Sequence, residues 1–194
     1  MASADILERM QALLIDPDPA WLERRRREGN DVWDEVWEGV LHVVPTPTNV
    51  HQCFEFELAR LLREVARAHD LVICPQLSVC LGETNYRIPD ITVLKPEDVN
   101  EIGCTRAELV IEVLSPRDES RKKLPFYAER GISEAWLVDP ATRAIEVYVL
   151  RGDVYYTALP ARSGLIEAPR LALELSVVDG PKLRVAWNGG SADV

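Results

Sequence analysis

Two carboxylates lie inside runs of apolar residues that are typical of strands. Asp90 follows Pro89 in the segment RIPDITVL, and Glu112 lies in AELVIEVLSP, where five of the six central residues are Leu, Val or Ile. Such a run indicates a strand buried on both faces. An isolated ionised carboxylate there costs several kcal/mol. We therefore expect Glu112 to be protonated, paired or bound to a cation.

The spacing of the two acids favours a cation. They are 22 residues apart, and the turn-prone segment KPEDVNEIGCTRA lies between them, so their strands can pair as a long-looped hairpin. Residues on one side of such a pair lie about 5 Å apart. Carboxylates that close repel each other unless a cation separates them, and hard oxygen ligands suit Mg²⁺ or Mn²⁺. A purely structural alternative is that Asp90 caps a turn and Glu112 pairs with an arginine such as Arg87.

A basic segment, SPRDESRKKLPFYAERG, follows Glu112 directly. As a helix it can bring the ammonium group of Lys122 or Lys123 near the same cleft. A lysine beside a metal-bound water can orient the water, help to deprotonate it, or stabilise charge on a phosphate. The alternative is that both lysines coat a solvated helix face, which is the interpretation that we favour for Lys122.

Helix signals occur in three further segments. SADILERMQALL has helical apolar spacing, and DPAWLERRRREG begins with Asp18 as N-cap and ends at Gly29. Its arginine run, Arg24 to Arg27, indicates a solvated helix face. Thr48 or Asn49 can cap a longer helix over VHQCFEFELARLLREVARAH, whose apolar stripe comprises Val50, Phe54, Leu58, Leu61, Leu62 and Val65.

Strand signals alternate with these helices. DVWDEVWEGVLHVVPTPT predicts two strands around a turn at Glu38-Gly39, and a Gly152-Asp153 turn joins two strands in AIEVYVLRGDVYY. Further strands are predicted in LVICPQLSVCLG, YRIPDITVLKP, AELVIEVLSP and EAWLVDP. The order predicts an α/β (α+β) protein in which helices flank a central mixed β-sheet. We expect a helical extension over 1–30, one domain over 31–180, and a fraying tail over 181–194.

Composition limits the classes of function. The chain is 47% hydrophobic and 28% charged, and it contains no apolar run of the roughly 20 residues that span a bilayer. The N-terminus lacks the features of a secretory signal, so we expect a cytoplasmic protein with no membrane contact. The net charge of -10 is unusual for a protein that grips nucleic acid over a wide surface. Phosphate binding must then depend on a local basic patch or on metal ions. The four cysteines form no CxxC pair, which argues against a zinc ribbon.

The segments RIPDITVL, AELVIEVLSP and KLPFYAERGISEAWLVDP together resemble the Uma-type (Uma two) family of restriction endonucleases, within the broad PD-(D/E)XK nuclease superfamily. The upstream segment DEVWEGVLHVVPTPTNVHQ is similar to the opening of that family. The resemblance covers about Val32 to Tyr156. It implies a restriction-endonuclease-like fold, magnesium-dependent hydrolysis of DNA phosphodiester bonds, and a homodimer.

The resemblance also implies site residues. Asp90 and Glu112 correspond to the metal-binding acids, and the backbone carbonyl of Val113 is a further candidate ligand for Mg²⁺ or Mn²⁺. The superfamily usually has a lysine two residues after the glutamate, where this chain has Leu114. In the Uma-type pattern the lysine comes from the next helix, which corresponds to Lys123, four residues before Tyr127.

Three accessory candidates follow from the same resemblance. Glu35 matches the acid four residues before the glycine turn and is a candidate to approach the metal, with an exposed strand acid as the alternative. His51 matches a histidine at the helix start and is a candidate to bind phosphate or water, with helix capping or packing as the alternative. Gln76 is a candidate neighbour of the site.

Two rival functions use the same residues differently. A binding or assembly module that keeps the nuclease fold but is catalytically inactive agrees with the acidity of the chain, because binding to duplex DNA normally draws on many Lys and Arg contacts. A hydrolase acting on another phosphoester needs the same acids and lysine. Retention of Asp90, Glu112 and Lys123 favours an enzyme, because a module has no need of buried charges.

Overall fold

The computed structural model describes residues 12–101, 103–116 and 119–194. Over these ranges the protein is a mixed α/β structure with three α-helices and three β-sheets, which confirms the predicted fold class. The helices are α1 (Pro19–Glu28), α2 (Asn49–Ala68) and α3 (Ser120–Glu129). The strands are β1 (Ala12–Leu14), β2 (Glu35–Trp37), β3 (Val40–Val43), β4 (Val72–Pro75), β5 (Val79–Cys80), β6 (Tyr86–Arg87), β7 (Ile91–Leu94), β8 (Leu109–Val113), β9 (Glu134–Val138), β10 (Ile145–Arg151), β11 (Val154–Thr157), β12 (Ile166–Ala168), β13 (Leu173–Val178), β14 (Lys182–Trp187) and β15 (Gly190–Asp193).

The chain forms two compact units. The first comprises the residues up to Pro47 together with Cys80–Ile88, and the second comprises Thr48–Val79 together with Pro89–Val194. The domain boundaries expected at residues 30 and 180 stay predictions. None of the described helices is long and apolar enough to cross a bilayer.

The first unit contains α1 and the strands β1, β2, β3 and β6 of a five-stranded sheet in the order β1-β3-β2-β6-β5. As predicted, Asp18 caps α1 by accepting a hydrogen bond from the N–H of Ala20, and Gly29 ends the helix in a left-handed conformation. The predicted helix over SADILERMQALL is wrong for its last residues, because Ala12–Leu14 pairs with β3 as a strand. The rest of that segment lies outside the described residues.

The second unit is built on a six-stranded sheet in the order β11-β10-β9-β8-β7-β4. Strands β8 and β9 are parallel, and α3 is the crossover between them. On one face α2 packs Phe54, Leu58 and Leu62 in the same core cluster as Ile111 and Val113. On the other face Val110 belongs to a cluster with Phe126 and Tyr127 of α3. All five residues of β8 are therefore buried, as the sequence predicts.

Two predicted strands are each split in two. In LVICPQLSVCLG, Gln76 has a φ of 53°, which ends β4 before β5 begins. In YRIPDITVLKP, Pro89 separates β6 from β7, because proline cannot donate to a strand ladder. The predicted turns at Glu38-Gly39 and Gly152-Asp153 are confirmed.

The C-terminal segment is ordered, so the predicted fraying of the tail is wrong. Strands β12 to β15 form a four-stranded antiparallel sheet that extends to Asp193. Leu173, Leu175, Leu183 and Val185 of this sheet belong to the same core cluster as α2. Burial of that apolar face holds the tail in place.

Candidate active site

Asp90 and Glu112 lie next to each other at one end of the hairpin formed by β7 and β8. The antiparallel register pairs Ile91 with Ile111 and Thr92 with Val110, so one step further along it places Asp90 opposite Glu112. The Oδ2 atom of Asp90 accepts a hydrogen bond of 2.6 Å from the N–H of Val113. The predicted hairpin is thus confirmed, and it positions Asp90 at the end of β8.

Glu112 is paired with a lysine, although 96% of its surface is buried. Its Oε2 lies 3.1 Å from Nζ of Lys123 and 3.4 Å from Oγ of Ser120, and the hydroxyl of Tyr127 donates to its Oε1. Ser120, Lys123 and Tyr127 are three and four residues apart, so they share one face of α3. Lys123 therefore places its ammonium group beside Glu112 from the next helix, whereas position 114 is a leucine.

The two other basic residues considered in the sequence analysis, Arg87 and Lys122, have partners of their own. Arg87, the arginine considered as a partner of Glu112, belongs to the first unit, where its Nη1 donates to the carbonyl of Val36 and to Asn85. The side chain of Lys122 is 68% exposed and pairs with Glu119. The interpretation of Lys122 as a solvated residue is confirmed.

A second group of ionisable side chains surrounds Asp90. Ligand atoms of His51, Glu55 and Asp90 all lie within 4.8 Å of one another. His51 and Glu55 are one turn apart on the buried face of α2, whose first turn is fixed by a hydrogen bond from the N–H of His51 to the hydroxyl of Thr48. Nε2 of His51 lies 2.9 Å from the carbonyl oxygen of Val113 and 3.4 Å from Oδ2 of Asp90.

Gln76, a candidate neighbour of the site from the sequence, borders this second group. Its backbone N–H donates to the carbonyl of Asp90 at 2.9 Å, and its Nε2 lies 3.5 Å from Oε2 of Glu55. The left-handed backbone of Gln76 turns the chain there, so the residue contacts both Asp90 and Glu55.

Burial and mutual repulsion determine the electrostatics of the second group. Burial, followed by the negative charge of Asp90, raises the pKa of Glu55 to about 7, although His51 and Gln76 oppose the shift. Burial lowers the pKa of His51, but the hydrogen bond to Asp90 and the charges of Asp90 and Glu55 together raise it above its usual value. A divalent cation would relieve this repulsion, so the donor set fits a metal ion.

The raised pKa of Glu55 predicts a pH-dependent gain in stability for Glu55→Gln. Between the ordinary pKa of 4.5 and the folded-state pKa of about 7, the folded protein holds a proton that the unfolded chain releases. Stability therefore falls as the pH rises through this window, and above it the ionised Glu55 costs roughly 3 kcal/mol. We expect the variant to exceed the parent by about this amount at pH 8 and to match it at pH 4.

Urea unfolding in the presence of a chelator, from pH 4 to pH 8, measures this difference. Glu57→Gln is the matched control, because Glu57 lies on the exposed face of the same helix and pairs with Arg60. A stability difference between Glu55→Gln and the parent that does not change with pH would contradict the prediction.

Glu35 belongs to the first unit, and it is buried, so the exposed alternative is wrong. Its Oε2 accepts a hydrogen bond of 2.6 Å from the indole of Trp37, and its Oε1 accepts one of 2.8 Å from the N–H of Ile88. The ring of Trp37 stacks on His42 at a centroid distance of 3.8 Å and is contacted by the guanidinium of Arg87. Within its own unit, Glu35 thus joins β2 to the end of β6.

The structure brings together five of the predicted residues: Asp90, Glu112, Lys123, His51 and Gln76, with the backbone of Val113 between them. The sequence reasoning missed Glu55 and gave no role to Tyr127 or Ser120. Each has a positional signal, since Glu55 follows His51 by four residues and Tyr127 follows Lys123 by four residues on a helix.

Comparison with known proteins gives a family and a fold. The Uma2 family model, described as "Putative restriction endonuclease", matches residues 14–183. A crystal structure titled as a "putative nuclease belonging to DUF820" from Anabaena variabilis ATCC 29413 superposes with a TM-score of 0.60 at 22% sequence identity. The match covers 74% of this chain and 86% of that one. Among curated proteins no sequence matches this chain significantly.

Proposed function

The chain belongs to the Uma2 family, and from that premise we propose that it is a metal-dependent endonuclease that hydrolyses phosphodiester bonds in DNA. The observation that carries the proposal is the pairing of Lys123 with Glu112 at 3.1 Å, beside Asp90. Two acids and a lysine at the end of a hairpin are the groups that phosphodiester hydrolysis needs. The Uma2 match favours a nuclease over other phosphoester hydrolases.

The proposed metal ligands are the carboxylates of Asp90 and Glu112 and the carbonyl of Val113. Their oxygen atoms suit Mg²⁺, with Mn²⁺ as a substitute. When bound, the ion would polarise a phosphate oxygen and lower the pKa of a bound water. The carbonyl of Val113 has two lone pairs, so it can accept from His51 and still serve as a ligand.

The protein's own side chains have separate tasks in this proposal. Lys123 holds its ammonium beside the reacting phosphate, where it stabilises developing negative charge and orients the attacking water. Tyr127 and Ser120 bond to the two oxygens of Glu112 and so fix the direction of its carboxylate. The N–H of Val113 does the same for Asp90. Glu35 stays a predicted accessory residue.

The main rival is a catalytically inactive module. A buried ion pair such as Glu112 with Lys123 contributes little net stability compared with apolar packing, so a module gains little from it. The net charge of -10 favours the module, but metal ions and Lys123 supply local positive charge for one phosphate. The homodimer and the cytoplasmic location stay predictions.

Metal removal tests the proposal directly. Supercoiled plasmid incubated with the purified protein is expected to be nicked or linearised in millimolar MgCl₂ and to stay intact in excess chelator. The reason is that a catalytic metal ion lowers the barrier by several kcal/mol. Gel electrophoresis measures the cleavage of the plasmid. A simple phosphodiester serves as a second substrate, which detects hydrolysis of phosphoesters other than DNA.

Three results would contradict the proposal, and the first is the absence of any DNA cleavage in the presence of MgCl₂. Equal cleavage with and without chelator would remove the metal from the mechanism. Hydrolysis of the simple ester with no cleavage of plasmid or of single-stranded DNA would favour a hydrolase of another phosphoester.

A further inference from the structure

We propose that His51, Glu55 and Asp90 form a second cation site, which takes a divalent transition-metal ion such as Mn²⁺ through one imidazole nitrogen and two carboxylate oxygens. The inference rests on the proposed function only in that Asp90 is shared by both sites. The ligand atoms of the three residues lie within 4.8 Å of one another, and all three residues belong to the second unit.

The hydrogen bond of His51 leaves one ring nitrogen free to bind a metal. Nε2 lies 2.9 Å from the carbonyl of Val113, an acceptor that requires the proton on Nε2. In the neutral ring the lone pair is then on Nδ1. Histidines that bind metals characteristically donate their other ring N–H to a carbonyl or a carboxylate, which fixes the tautomer. The contact with Val113 has this form.

The nitrogen with the lone pair is buried and has no hydrogen bond. The side chain of His51 is 7% exposed, and among the described residues Nδ1 has no hydrogen-bond partner. Buried polar atoms normally have a partner, and leaving one without costs about 1–3 kcal/mol. A bound cation would satisfy this atom.

The distance between Nδ1 of His51 and the carboxylate of Glu55 suits two ligands of the same metal ion. Nδ1 lies 3.9 Å from Oε2 of Glu55, which is too long for a hydrogen bond. Two atoms that each lie about 2.1 Å from one ion are roughly 3 to 4.2 Å apart, depending on the angle between them. The amide nitrogen of Gln76 lies 3.5 Å from the same oxygen of Glu55, where it can orient this carboxylate as a hydrogen-bond donor outside the coordination sphere.

The charges also favour a cation there. Ligand oxygens of Asp90 and Glu55 lie within 4.8 Å of each other, and among the described residues neither carboxylate forms an ion pair with a lysine or an arginine. Lys123 pairs with Glu112 instead. A nitrogen ligand distinguishes this second group from the oxygen ligands of Asp90, Glu112 and Val113. Imidazole binds Mn²⁺ or Zn²⁺ better than Mg²⁺, so Mn²⁺ is expected to fill both sites and Mg²⁺ mainly the oxygen site.

Calorimetric titration of the full chain with MnCl₂, after removal of metals, tests the second site. We expect two ions per chain for the parent and one for Glu55→Gln, because the amide cannot replace the negative ligand. His51→Gln is expected to lose the same ion. Glu57→Gln and His69→Gln change the exposed face and the end of the same helix and are expected to keep both ions.

A single ion in the parent, or two ions in Glu55→Gln, would overturn the second site. Because buried substitutions can impair folding, circular dichroism is recorded for each variant. A parent crystal soaked in Mn²⁺ needs no variant at all. Its anomalous map is expected to show a peak between Nδ1 of His51 and Glu55, and a map without that peak would equally reject the site.

The titration also separates this inference from the proposed function. If the parent binds two ions but cleaves no DNA, the endonuclease proposal fails and the second site stands. If the parent cleaves DNA with one bound ion and Glu55→Gln cleaves equally well, the second site fails and the endonuclease proposal stands.

Discussion

Replacing Asp90 by Asn is expected to reduce magnesium-dependent cleavage of DNA at least about a thousandfold, which corresponds to roughly 4 kcal/mol in the barrier. Asp90 is proposed as a ligand of both cation sites, so the substitution weakens both. The amide oxygen of Asn can still accept the hydrogen bond from the N–H of Val113, and the hairpin is retained. Initial rates of plasmid cleavage, with a thermal unfolding curve for each protein, measure the effect.

Asp153→Asn is the matched control for this substitution. Asp153 lies in the exposed turn between β10 and β11, within the same unit. We expect it to cleave at the parent rate. A folded Asp90→Asn variant with the parent rate would show that Asp90 is no metal ligand, and the proposed site would then be wrong.

Replacing Lys123 by Met is expected to lower the cleavage rate by about a hundredfold to a thousandfold, a typical cost of removing one group that stabilises a developing charge. The same change leaves Glu112 buried without its ammonium partner. Breaking a buried pair costs about 3 kcal/mol of unfolding free energy, although the hydroxyls of Tyr127 and Ser120 still bond to the carboxylate. Urea unfolding and cleavage rates are measured on the same preparations.

A double variant tests the structural role of Lys123. In Lys123→Met with Glu112→Gln the buried charge is gone, so most of the lost stability is expected to return, whereas cleavage is not expected to return because Glu112 is itself a proposed metal ligand. Lys122→Met is the control, because Lys122 is exposed and is expected to affect neither quantity. A double variant no more stable than Lys123→Met would mean that the unpaired charge of Glu112 is not the cause of the lost stability, and recovery of cleavage would contradict the proposed role of Glu112.

Hydrophobic pattern and turn chemistry predicted most of the elements. Helix α2, the β2–β3 hairpin and the fully buried β8 follow from local signals, namely the apolar stripe, the Glu38-Gly39 turn and the run of Leu, Val and Ile. The strands of the tail were missed because they are held by apolar contacts with a distant helix, which leave no local signal. Ala12–Leu14 likewise forms a strand in spite of its helical pattern, because it pairs with β3, a partner that is distant in the sequence.

The sequence by itself determined the family, the pairing of the strands that carry Asp90 and Glu112, and the choice of Lys123 over Lys122. The strand pairing depends on residue types at short separations, where strand register leaves few alternatives, whereas the family and the choice of Lys123 follow from the resemblance of whole segments to the family pattern. Only the tertiary structure decided that His51 and Glu55 of α2 meet Asp90, and that the carbonyl of Val113 fixes the imidazole. That contact depends on how α2 packs across the sheet. His51 precedes Asp90 by 39 residues in the chain, so no local pattern encodes the contact.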